Sequence, residues 1–173
     1  MNSDDHILKE RARQLAKKRK SINNDAEEET TLVIEFLLFP EKYAIAASFV
    51  EEVITMKEIT PLPGTPEYVM GVINFRGKIV PVINLKILFM LKEQGLTEMN
   101  KVLLLRKDQA VFGLLADGIT GSRNIAMHQL AEPPLNLSNI GKDYITGLMP
   151  DGTIVLDAAK MLDSNVLNKR AKQ

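Results

Sequence analysis

The chain has 173 residues, 45% of them hydrophobic, enough to enclose the core of one domain or of two small domains that share one. Its 22 basic and 22 acidic residues cancel, which argues against nucleic acid or an anionic membrane surface as a partner attracted by charge. Cysteine is absent, excluding disulfides, thiolate nucleophiles and cysteine metal sites, and with no Trp and 5% aromatics the core must be built from Ile, Leu, Val and Met.

Residues 1–29 read as a charged N-terminal arm, partly helical. Leu8, Ala12 and Leu15 share a helical face with Ile7 and Ala16 beside them, so Asp4–Lys20 reads as a short amphipathic helix ended by Ser21–Asn24. Its second half is basic (Arg11, Arg13, Lys17, Lys18, Arg19, Lys20), and Asp25 and Glu27–Glu29 follow. With seven residues of each sign the arm is neutral and dipolar, either a solvated tail or a docking helix. Met1–His6 lacks the basic start and apolar centre of a signal peptide, and no run approaches the ~20 apolar residues of a membrane span. The expectation is a soluble, intracellular protein with no direct membrane insertion.

From residue 30 to 164 the texture is β-rich. Thr31–Phe39 and Tyr43–Ala47, separated by Pro40-Glu41-Lys42, predict a first hairpin. Phe49–Met56 continues extended, with Glu51 and Glu52 between apolar pairs. Pro61, Pro63, Gly64 and Pro66 mark a loop, with Thr65 and Pro66 placed to cap one helical turn reaching Met70. The stretch Gly71–Leu85, G-V-I-N-F-R-G-K-I-V-P-V-I-N-L, then organises the rest. Apolar runs Val69–Phe75 and Ile79–Ile83 flank Arg76-Gly77-Lys78, and Gly77 permits the positive φ of a tight turn. Neither run alternates, so both faces are expected to be covered. Pro81 cannot donate to a ladder and places its strand at an edge or a bulge, and Asn84 suits the N-cap of a helix over Leu85–Leu91. An Arg at the tip of such a hairpin serves either as a docking residue or as a solvated turn residue.

The second half begins at Lys101. Val102–Leu105 and Ala110–Ala116 are joined by Lys107-Asp108-Gln109, and Asp117-Gly118 turns into Ile119–Met127. A loop opens at Glu132-Pro133-Pro134 and reaches about Asp143; Tyr144–Met149 and Thr153–Leu156 then pair across Pro150-Asp151-Gly152. Asp157 caps Ala158–Leu162, and 165–173 form a polar tail expected to fray. Gly71…Gly77…Asn84-Leu85 has an echo in Gly147…Gly152…Asp157, which favours two similar small β-barrels over one sandwich.

No catalytic constellation emerges. His6 lies in the arm and His128 ends an extended run, Ser48, Ser122, Ser138 and Ser164 sit in no nucleophile elbow, and no phosphate-binding glycine loop occurs. Asp117 and Asp157 are explained by a turn and a helix cap. The chain is expected to be no enzyme and to carry no cofactor or metal. A β-barrel nucleic-acid binder would need stacking aromatics and a net basic face, whereas here aromatics are few and the charge is balanced.

The run G-V-I-N-F-R-G-K-I-V-P-V-I-N-L resembles the signature of the CheW family of chemotaxis coupling proteins. The likeness extends over about residues 31–163: Tyr43-Ala44-Ile45 and Val50–Ile54 resemble the opening strands, and the prolines of Ile59–Pro66 fall in the family's loop. Phe112–Ile119 resembles its G-x-x-V-D-x-V stretch, and Glu132-Pro133-Pro134, Tyr144–Gly147 and Ile154–Asp157 follow in order. Phe75 stands where Leu is more usual, Asn84 where Asp is, and Ala116 where Val is.

The resemblance implies an all-β CheW-like fold with a few short helices, two SH3-like five-stranded barrels sharing a core. It implies a cytoplasmic adaptor, recruited to membrane-bound receptor arrays, that couples the chemoreceptor cytoplasmic hairpin tip to the regulatory domain of the histidine kinase CheA. A chain ending at Gln173 looks like the free-standing adaptor rather than CheA or a receiver-fused variant. The motility pathway and a chemosensory pathway with another output remain alternatives. Carried over by position, the receptor surface comprises Val50, Glu52, Val53, Asn74, Arg76 and Val80, and the kinase surface Met56, Pro63, Pro66 and Gly71.

Overall fold

The computed structural model describes residues 29–56, 58–92, 95–133 and 139–164. The expected arm helix and the C-terminal tail lie outside them. Ten strands follow in chain order: β1 (Thr30–Leu38), β2 (Glu41–Ala46), β3 (Val50–Thr55), β4 (Val69–Phe75), β5 (Lys78–Ile83), β6 (Lys101–Lys107), β7 (Ala110–Ala116), β8 (Gly118–Ala126), β9 (Ile145–Leu148) and β10 (Ile154–Leu156). Short helices α1 (Leu85–Leu88), α2 (Asn139–Lys142) and α3 (Ala158–Asp163) interrupt them. The strands form two five-stranded sheets, β8-β1-β2-β10-β9 (sheet A) and β3-β6-β7-β5-β4 (sheet B).

The two orders are one order. Exchanging β3, β4, β5, β6 and β7 for β8, β9, β10, β1 and β2 converts sheet B into sheet A, with the parallel pair β5–β7 becoming the parallel pair β10–β2. The first hairpin of the chain thus completes the sheet begun by its second half. Each sheet rolls until its edges meet. Thr60, beyond β3, exchanges backbone hydrogen bonds of 2.9 and 2.8 Å with Val72 of β4. Ala131, beyond β8, does the same with Leu148 of β9 at 2.8 and 2.9 Å. Beside each junction a glycine admits the crossing strand: a Cβ on Gly71 would lie 2.2 Å from the Thr60 oxygen, and one on Gly147 2.6 Å from the Ala131 oxygen. The helix caps repeat as well, Asn84 N–H donating to the Tyr68 carbonyl and Asp157 N–H to the Tyr144 carbonyl, both at 2.8 Å. The faint echo in the sequence is a structural repeat.

Three apolar clusters follow from this arrangement. Ile73, Phe75, Val80, Val82, Val102, Leu104 and Leu115 fill sheet B. Val33, Ala44, Ile125, Met149 and Val155 fill sheet A. The largest cluster draws on both sheets, with Phe36, Tyr43 and Ile154 meeting Ile83, Leu103, Leu114 and the helix residues Leu85 and Met161. Strands whose two faces point into different clusters read as continuous apolar runs, as β6 and β7 do; β4–β5, expected to be covered on both faces, is covered on the outer face only toward its core end and is open at Asn74 and Ile79.

Most predicted elements stand within a residue or two, and three differ. The helix after Asn84 ends at Leu88 instead of Leu91, because Met90 adopts φ 57 and the chain closes on itself, Leu91 N–H donating to the Lys86 carbonyl at 2.8 Å and Met90 N–H to the Ile87 carbonyl at 3.1 Å. Thr65 caps nothing: its hydroxyl donates back to the Leu62 carbonyl, Val69 N–H closes one turn on the Pro66 carbonyl, and β4 begins there. α2 lies where a plain loop was expected, being a single turn too short to show periodicity. β5 is not at an edge, as Pro81 suggested, but lies between β7 and β4, and the register shift of the hairpin falls between Val69 and Gly71; Pro81 precedes the β5–β7 ladder, which starts at Val82, so its missing N–H costs no bond on that side.

Candidate functional site

Phe75 pairs with Lys78, leaving Arg76 and Gly77 as the two central residues of the β4–β5 turn, with φ of 49° and 79°. Positive φ at both positions is the type I′ geometry that matches strand twist, and the Asn74 side-chain oxygen accepts from Gly77 N–H at 3.0 Å. The turn carries the Arg76 side chain outward, 69% exposed. It does not float. Its Nη2 donates to Glu52 Oε2 at 2.7 Å, and its guanidinium carbon lies 4.8 Å from the centre of the Phe75 ring. Glu52 is on β3 opposite Leu104, an interior residue of sheet B, so the ion pair spans the mouth of the rolled sheet where its two edge strands meet. A register shift between Val50 and Glu52 turns Glu51 the other way, to accept from Arg106 Nε and Nη2 at 2.7 Å.

Register assigns the remaining receptor-surface residues. Val53 pairs with Leu103, which belongs to the shared core, so Val53 stands on the outer face of sheet B and is partly exposed. Val50 packs against that core at its rim. Asn74 is exposed on the same outer face, opposite Ile79. Val80 is not on this surface: it is 2% exposed inside sheet B, because β5 alternates and its neighbour Ile79, 66% exposed, takes the outward place. Glu52, Asn74 and Arg76 are therefore brought together, Val50 and Val53 flank the shared core, and Val80 is corrected to the interior.

The residues carried over as a kinase surface are more dispersed. Met56 packs against the interior cluster of sheet B, with its N–H on the Asn100 carbonyl at 3.0 Å. Pro63 is exposed in the loop and Pro66 half-buried. Gly71 is buried at the junction described above and presents no side chain, so its role is close backbone approach and not contact.

Two further charged clusters escaped the sequence reading, since their members are far apart in the chain. Arg123 of β8 reaches Glu35 at 2.9 Å and Asp151 at 2.6 Å, across the mouth of sheet A. It occupies the place that Glu52 holds in sheet B, with Asp151 in the place of Arg76 and the charges reversed. Asp151 is held below the usual carboxylate range, first by the N–H of Thr153 at 3.1 Å and then by Arg123, and the Arg123 guanidinium is held above its ordinary value, first by its bond to Asp151. Asp117, at the crossover between the sheets, accepts from Phe39 N–H at 2.7 Å and pairs with the buried Lys86. A cavity of about 250 Å³ opens beside them, lined by Met70, Lys86, Leu96 and Asn100 among others, but its two charges neutralise each other. Asp157 caps α3 through Lys160 N–H at 2.9 Å, so the two aspartates serve separate structural ends. Among the described residues, no group of three or more His, Cys, Asp or Glu is placed to hold a metal ion, and no helix is long and apolar enough to cross a membrane.

Residues 32–166 match the family model of the CheW-like domain. The chemotaxis protein CheW of Treponema pallidum is 32% identical over 146 residues, covering 80% of this chain and 86% of that protein. The chemotaxis protein CheW of Klebsiella aerogenes is 32% identical over 136 residues, covering 75% and 82%. Among solved structures, the scaffolding protein TtCheW of Thermoanaerobacter tengcongensis superposes with a TM-score of 0.68 at 27% identity, covering 79% of this chain and 94% of that one.

Proposed function

The chain belongs to the CheW-like family, and from that premise we propose that it is a non-enzymatic cytoplasmic adaptor of a chemotaxis pathway, clamping the tip of a chemoreceptor hairpin to the regulatory domain of the kinase CheA. The two rolled sheets correspond in this reading to two SH3-like barrels. The observation that carries it is the β4–β5 tip: a type I′ turn holds Arg76 in the open, Glu52 fixes its direction, and an outer face running back to the shared core lies beside it. A side chain so exposed contributes little to folding, since surface ion pairs are worth about 0–1 kcal/mol, and its definite orientation is an advantage for recognition. The receptor surface comprises Val50, Glu52, Val53, Asn74 and Arg76. The kinase surface centres on the loop of Pro63 and Pro66 with Met56 beneath it. Standard interfaces bury roughly 800 Å² per partner, so two partners need separate surfaces on a protein of this size.

Co-sedimentation with a chemoreceptor cytoplasmic fragment and CheA tests the assignment. Wild type is expected to pellet with both, and Arg76→Ala to lose receptor recruitment while melting within a few degrees of wild type. Unchanged recruitment of Arg76→Ala contradicts the role given to Arg76, and wild type that pellets with neither contradicts the adaptor reading.

A further inference from the structure

We propose that the cavity beside Lys86 is a binding site for a small uncharged molecule, one with an apolar body and a carbonyl oxygen that accepts from the Lys86 ammonium. None of the residues lining it belongs to the partner surfaces proposed above, and the inference stands without them.

The buried lysine carries the argument. Its side chain is 6% exposed, and among the described residues its Nζ has one partner, Asp117 Oδ2 at 2.5 Å. An ammonium has three donors, so two are left for whatever fills the cavity that Lys86 lines. The acceptors nearby are already engaged. Besides Lys86, Asp117 accepts from the Phe39 N–H at 2.7 Å and from Asn100 Nδ2 at 3.3 Å. Asn100 is buried, and its Oδ1 takes both the N–H of Thr97 at 2.5 Å and the Thr97 hydroxyl at 3.3 Å. The site therefore offers donors, and its occupant has to bring the acceptor.

Charge and size narrow the class. Lys86 and Asp117 cancel, so an ionic occupant would leave one buried charge uncompensated. The rest of the wall is largely apolar, from Met70, Ile87, Leu96 and Leu115. Water can satisfy Lys86 but leaves these four side chains wetted, whereas a molecule with an apolar body covers them. The volume, about 250 Å³, exceeds that of an engineered apolar cavity of roughly 150 Å³ that takes up benzene. It falls short of the roughly 300–1,000 Å³ of sites for drug-sized ligands. An aromatic ring with one short polar substituent is the size that fits. Leu96 lines the cavity and is 50% exposed, so it stands at the mouth.

The experiment is a titration of the full chain with acetophenone, and in parallel with ethylbenzene, which has the same ring and no oxygen, followed by the backbone amide resonances of Lys86, Asn100 and Asp117. Acetophenone is expected to shift them saturably and ethylbenzene to bind about tenfold more weakly, the difference that one hydrogen bond to a buried charged donor makes. Lys86→Met keeps the length of the stem and removes the donors, and is expected to lose the preference for acetophenone. Because that variant leaves Asp117 without its cation and can fail to fold, Leu96→Trp is measured beside it. A larger ring at the half-exposed mouth is expected to abolish binding while the melting midpoint stays within a few degrees of wild type. No saturable shift with acetophenone overturns the site. Equal affinity for the two probes overturns the role of Lys86, and binding by Leu96→Trp as tight as wild type overturns the location.

Discussion

Arg76 and Asp151 occupy equivalent tips of the two rolled sheets and carry opposite charge, each held by a residue of the neighbouring edge strand, Glu52 and Arg123. The Asp151 carboxylate is the more informative of the two for stability. Its acidity is raised in the folded chain, so its contribution is fully present above the ordinary carboxylate value of about 3.9 and is lost as pH falls through the lower folded value. Asp151→Asn is expected to cost less than about 1 kcal/mol at pH 7, as a largely exposed pair should, and to flatten the dependence of stability on pH between about 5 and 2. Denaturant midpoints across that range check it, and a variant as acid-sensitive as wild type contradicts the assignment. At this scale the sequence was only partly legible. Arg76 stood out by its turn, but placing Val80 on the surface overlooked what the turn dictates: with Arg76-Gly77 at the centre, Asn74 faces Ile79, and Val80 goes inside. Arg123 and Asp151 gave no local signal, because 28 residues separate them.

The β4–β5 hairpin shows which glycines are structural. Gly71, at φ 140°, has backbone where a Cβ would go, whereas Gly77 has open space around it. Gly71→Ala is expected to destabilise by about 2–4 kcal/mol and Gly77→Ala by only about 1 kcal/mol. Chemical denaturation of the two variants measures the contrast, and equal effects contradict the junction at Thr60. The hairpins and the caps at Asn84 and Asp157 were legible, since turn chemistry and apolar runs are local. The end of α1 was not, because Met90 takes a left-handed conformation that glycine or asparagine would have advertised. The pairing of β1–β2 with β10 was not legible from any local pattern either, for it joins residues more than a hundred apart.

At the scale of the whole molecule, two sheets of one topology lean on a common core, and a charged clasp of Asp117, Lys86 and the Phe39 N–H sits where the chain crosses between them. The sheets therefore share one packed body, and the face beside Arg76 is continuous with it. A body of this kind suits an adaptor, which has to hold two partners at fixed separation and carries no chemistry of its own. The most direct test of that claim is CheA autophosphorylation in a reconstituted mixture with membrane-embedded chemoreceptor and this protein, with and without attractant. Kinase activity is expected to rise only when all three are present and to fall when attractant is added. Kinase activity indifferent to this protein, at concentrations that saturate the receptor, would contradict it.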